Sequence, residues 1–212
     1  MTLSPDPDLA TVDPSNDAAV ARALAALAAP GSYFSGAERL AIAAHARVAR
    51  GDTTGAPDLA PMVAQTAHRI AADAISTRPE HIAAWIADGQ DELAYVELVA
   101  VVAMISTLDS YHHGIGRELV QLPSPTPGDP VPVIADGAKK MNAWLPTVGI
   151  ALAPTALSAL PNEKANKDAL NKPFYLSDDV VHQYDVEPGR ELTRPQMELV
   201  AARTSWLNEC FF

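Results

Sequence analysis

The chain has 212 residues, 48% of them hydrophobic, with a formal charge of −11 at neutral pH and an isoelectric point near 4.8. That length and apolar content support a substantial globular core, while the acidic balance weighs against a phosphate backbone as partner, since no cluster of Lys or Arg offsets it. A single cysteine excludes an internal disulfide, so Cys210 is a buried small hydrophobe, an intermolecular link or a reactive thiol.

Residues 1–17, "MTLSPDPDLATVDPSND", have the Pro, Asp, Ser and Thr content of a mobile tail. They lack the basic region and apolar core of a signal peptide, and no uninterrupted apolar run matches a membrane span, so the expectation is a cytoplasmic protein without a membrane partner. "DAAVARALAALAAPG" predicts a helix with Asp17 as N-cap and Pro30-Gly31 as its stop. Next, "SGAERLAIAAHARVARG" places Ser35 three residues before Glu38, a capping box, and closes on Gly51. "APMVAQTAHRIAADAIS" and "PEHIAAWIADGQ" continue the helical pattern. "DELAYVELVAVVAMISTLDSYHHGIG" reads as a long helix buried on most sides.

Between 121 and 135 the texture changes to "QLPSPTPGDPVPVIA", where five prolines and a glycine exclude a continuous helix and predict an extended connector. This divides the expected organisation into a helical unit at 18–120, the connector, and a second unit at 136–212. Pro146, Pro154, Pro161 and Pro173 restrict the first part of that second unit to short helices. "LTRPQMELVAARTSWLNECFF" then opens a helix with Thr193 as N-cap and Pro195 in the first turn.

The two long helical patterns can be laid over each other. Glu97-Leu98-Val99-Ala100 matches Glu198-Leu199-Val200-Ala201, and Asp109 then overlies Cys210, which suggests a duplication. In one straight helix Glu198 and Cys210 stand ~120° and ~18 Å apart, so they meet only where the chain folds back near "LNEC". A solvated first-turn glutamate is the simpler account of Glu198. In "DSYHH", Asp109 with His112 or His113 shares a helix face, and together with Glu97 these are ligand types for zinc or iron; a helix end capped by histidine and Gly114 explains them as well. His45, His68, His81 and His182 have no partner at a telling spacing and read as surface or packing residues. Trp85, Trp144, Trp206, Tyr95 and Tyr111 are either core or the lining of an apolar pocket.

"MELVAARTSWLNECFF" resembles the alkylhydroperoxidase D-like branch of the carboxymuconolactone decarboxylase superfamily. In that branch a Glu precedes a Cys-x-x-Cys by this interval, and a His follows four residues after the second Cys. The resemblance assigns Glu198 to the proton-relay carboxylate, Cys210 to the first cysteine, and Phe211 and Phe212 to the spacer. "GAERLAIAAHARVARG" and "AYVELVAVVAMISTLDSYHHGIG" are similar to the non-catalytic half of two-unit members, with Asp109 and His112 where the cysteines would be. It implies an all-α fold of two tandem units, the C-terminal one incomplete.

The second redox residue and the histidine fall beyond residue 212, so the 212-residue chain is expected to have little or no peroxidase activity. Because UGA encodes selenocysteine, the expectation is a native Cys-Phe-Phe-Sec, with a nonsense codon or a frameshift as alternatives. The resemblance implies thiol- or selenol-dependent peroxide reduction or disulfide exchange, a lipoylated or thioredoxin-like dithiol donor, a homo-oligomer, and no cofactor. A non-enzymatic helical oligomerisation protein and a ring-lactone decarboxylase or isomerase stand as alternatives.

Overall fold

A computed structural model describes residues 14–176, 180, 183, 185 and 192–208. The fold is all-α, and no β-strand occurs among the described residues. Residues 1–13 of the expected tail, His182 and Cys210 lie outside them. Helix α1 is Pro14–Ala28 and α2 is Gly36–Arg50. They are followed by α3 at Pro61–Asp73, α4 at Pro79–Ala87 and α5 at Glu92–Gly114. Past the Pro-rich segment come α6 at Pro161–Phe174 and α7 at Arg194–Leu207.

Local chemistry accounts for several of the helix ends. Ser35 and Glu38 form the expected capping box, with the Ser35 N–H donating to the Glu38 carboxylate at 2.8 Å, and Gly51 closes α2 at φ 78°. The Asp91 carboxylate caps α5 by accepting from the Leu93 N–H at 2.7 Å. At Thr193 the Gln196 side chain accepts from the Thr193 N–H at 2.9 Å. The first helix corrects the sequence expectation: it begins at Pro14, and Asp17 lies inside its first turn instead of capping it. Proline preset for the first turn and an acidic residue near the positive end of the dipole favour the earlier start.

Contacts divide the chain into two compact units, residues 1–170 and 171–212. In the first, α5 is the central element, packed against α1, α2, α3 and α4. Its Leu98, Val101, Ile105 and Leu108 are fully buried, and Tyr95 meets Trp85 of α4 edge to face at 5.3 Å. By length and mean hydropathy α5 resembles a membrane span, yet 72% of that stretch is buried inside the protein, in line with the expected helix buried on most sides. Trp85 and Tyr95 are therefore core, whereas Trp144 and Trp206 are exposed.

The segment 121–135 is non-helical, as its prolines require, and it belongs to the first unit. Three of its ten N–H groups donate to carbonyls elsewhere. Thr126 donates to Ala28 O at 2.8 Å, Val131 to Gly31 O at 3.1 Å and Ala135 to Ala159 O at 3.0 Å. The end of α1 has no glycine cap, and the strap supplies a donor for one of its unsatisfied carbonyls. Close approach here needs glycine at 36, where a Cβ would sit 2.0 Å from Ala28 O.

Candidate functional site

Three arginines of α2, spaced at 39, 47 and 50, reach α5 and hold both of its buried carboxylates. Near the start of the two helices Arg39 Nη1 donates to Glu97 Oε1, and the same guanidinium forks onto Glu163 of α6 with bonds of 2.8 and 3.1 Å. The second Glu97 oxygen accepts from the Tyr33 N–H at 2.7 Å. All three charged side chains are at most 3% exposed. Two carboxylates thus share one guanidinium in a dry setting. Burial pushes the Glu97 carboxyl up from its ordinary value, and nearby Glu163 adds to this, while Arg39 and the Tyr33 N–H pull the other way.

Gly31 forms the wall against this triad. A Cβ there would lie 1.9 Å from Glu97 Oε1 and 2.4 Å from Arg39 Nη1. On the other side a cleft of about 540 Å³ opens, lined by Gly31, Arg39, Asp129, Val131, Asn162 and Glu163 among others.

At the far end of α5, Asp109 takes a forked pair from Arg47 at 3.1 and 2.7 Å and a further bond from Arg50. Arg50 also donates to Ser106 Oγ at 2.8 Å, and Arg47 to Val120 O at 2.9 Å. His112 Nδ1 lies 2.7 Å from the Glu118 carbonyl, which makes it the donor and fixes the turn after α5. His113 is exposed. Glu97, Asp109, His112 and His113 therefore do not converge: the carboxylates are engaged by different arginines at opposite ends of α5. Among the described residues no group of three or more His, Cys, Asp or Glu gathers as a metal site.

In the second unit Glu198 lies on α7, one turn after Arg194, whose Nε donates to Glu198 Oε1 at 2.6 Å. The Tyr175 hydroxyl donates to the same oxygen at 2.9 Å. Burial first, and then this bonded carboxylate, raise the Tyr175 hydroxyl above its ordinary value. The Glu198 side chain remains 43% exposed.

Sequence reasoning did not find Arg39, Arg47 and Arg50 as partners of the α5 carboxylates, nor Glu163. It also gave His45 and His68 no partner, yet their rings meet, with Nδ1 of the first 3.1 Å from Nε2 of the second. A regular Arg spacing along the inner side of an Ala-rich helix was the available signal for the first group. Nothing local marked the others. Neither a family model, nor a curated protein, nor a solved structure matches this chain.

Proposed function

We propose that the chain carries part of a thiol- or selenol-dependent peroxide reductase or disulfide oxidoreductase of the alkylhydroperoxidase D type. The single observation that carries this is the Glu198 carboxylate, half exposed on α7, accepting from both Arg194 and the Tyr175 hydroxyl, twelve positions before Cys210. A carboxylate so held can take up and return a proton beside a thiol. In the proposed cycle a thiolate or selenolate three positions after Cys210 attacks a peroxide oxygen, the O–O bond breaks, and an alcohol or water leaves. Cys210 then displaces water from the oxidised residue to form a disulfide or selenenyl sulfide, which a dithiol donor in the cytoplasm, a lipoylated or thioredoxin-like protein, reduces. Cys210 is thus the resolving thiol and Glu198 the relay, in a homo-oligomer of tandem helical units.

The test is the coding sequence past Phe212. The expected result is a cysteine or selenocysteine three positions after Cys210 with His four residues on, and dithiol-dependent peroxidase activity when that frame is expressed with Cys at that position. Activity should vanish with Cys210→Ser and fall at least tenfold with Glu198→Gln. An extended chain that lacks a redox residue at that position, or whose turnover ignores both substitutions, overturns the proposal.

A second reading is favoured by α7 itself, where Leu199 and Trp206 are 71% and 75% exposed and Val200 and Leu207 are exposed with them. Apolar residues in that number fit a non-enzymatic helical oligomerisation surface. Light scattering that finds a monomer at all concentrations sinks it.

A further inference from the structure

Helices α2 and α3 meet at two histidines that lie outside the carboxylate network. The rings are tilted by 52° with centroids 5.2 Å apart, and His45 Nδ1 faces His68 Nε2 at 3.1 Å. On its other side His45 Nε2 is 2.9 Å from the Pro57 carbonyl. A carbonyl only accepts, so Nε2 of His45 carries the hydrogen and the neutral ring has its lone pair on Nδ1. His68 then supplies the hydrogen between the rings. A backbone carbonyl holding the far N–H is the arrangement that fixes the tautomer and orientation of a metal-ligating imidazole.

Spacing and access agree with that chemistry. Two imidazole nitrogens bound tetrahedrally to one zinc at ~2.0–2.1 Å stand roughly 3.3 Å from each other. The observed 3.1 Å needs a small opening of the pair, and each ring must turn so that its lone pair aims at a shared point beside the line between the two nitrogens. Both rings are half-buried, so water can reach the space between them, and Pro57 is exposed. The two ligands come from two packed helices, not from one flexible loop, so the separation is preset.

We propose that His45 and His68 form a binding site for a divalent transition metal of the zinc type, which replaces the hydrogen between the rings and completes its coordination with water. On binding, His68 moves its ring hydrogen from Nε2 to Nδ1, so both rings stay neutral and no proton is released. Imidazole nitrogen selects zinc, copper or nickel over magnesium or calcium. No third protein ligand joins among the described residues, so the site binds more weakly than a four-ligand structural zinc. The bound metal clips α2 to α3 and, through Pro57, holds the segment between them.

The experiment titrates zinc chloride calorimetrically into the full chain carrying Cys210→Ser, which removes the competing thiol. One zinc per chain is expected, with His45→Gln and His68→Gln each weakening it at least tenfold and His113→Gln, on an exposed ring, leaving it unchanged. Zinc uptake that survives both glutamine substitutions, depends on His113, or is undetectable at millimolar metal overturns the proposal. A second measurement avoids variants that fold poorly: imidazole nitrogen NMR of the Cys210→Ser chain. Of its six histidines, the two rings joined by the 3.1 Å contact should shift until one equivalent of zinc is added. Shifts confined to the other rings overturn the site as well.

Discussion

The tetrapeptide Glu-Leu-Val-Ala occurs twice, at 97–100 and 198–201, and its two glutamates live in opposite settings. Glu97 is completely buried and locked between Arg39 and the Tyr33 N–H, whereas Glu198 is 43% exposed and held by Arg194 and Tyr175. The same local sequence thus yields a carboxylate sealed into the core in one unit and one open to solvent in the other. Surroundings, not the motif, decide whether such a group can exchange protons with a substrate. Glu97 is sealed among its partners, and Glu198 stays accessible to solvent.

The strongest way to break this contrast is to remove one member of each ion pair. Arg39→Met leaves Glu97 and Glu163 buried without their shared partner and should cost about 3–5 kcal/mol in urea unfolding. Glu198→Gln, at the half-exposed counterpart, should change stability by about 1 kcal/mol or less. Equal losses would show that the two glutamates are equivalent. Gly31→Ala comes next, because its Cβ would press on Glu97 Oε1 and Arg39 Nη1 at 1.9 and 2.4 Å. Overpacking there should lower stability by about 1–3 kcal/mol, read as a drop in thermal midpoint.

A pH series sharpens the comparison with a smaller effect. In the folded chain the Glu97 carboxyl holds its proton to higher pH than in the unfolded chain, because burial raises it and Glu163 adds to that. Its contribution to stability is therefore most favourable below the ordinary glutamate range, and is lost as pH rises from that range through the raised value. Unfolding measured between about pH 4 and 7 should show a shallower decline for Glu97→Gln than for the parent chain. A parallel pair of curves would mean that Glu97 titrates normally. Smallest of all, Trp206→Ser on exposed α7 should move stability by only about 0.5 kcal/mol while reducing the binding of an apolar dye.

What was legible in the sequence is what depends on neighbours in sequence. The Ser35–Glu38 box, Gly51 and Pro195 act within one helical turn, and they mark the helix ends they predict, whereas Pro173 lies inside α6 and does not cut it. The long apolar run at 92–114 announced its own burial. The triad joins residues 58 and 124 positions apart, and no local pattern states which arginine of α2 will meet which acid. The histidine pair fails for the same reason at a separation of 23. Asp17 shows the reverse limit, since a good capping residue was overridden by a proline three positions earlier.

The strap at 121–135 bears on how the protein can be taken apart. A proline-rich stretch without helix or strand is ordinarily the first place to nick a chain, permute it or graft an insertion. Here Thr126 and Val131 close hydrogen bonds onto Ala28 and Gly31, and Gly31 abuts the Glu97 and Arg39 side chains. Cleavage inside the strap should therefore loosen a buried charge cluster more than a simple tether would suggest, and limited proteolysis should spare it.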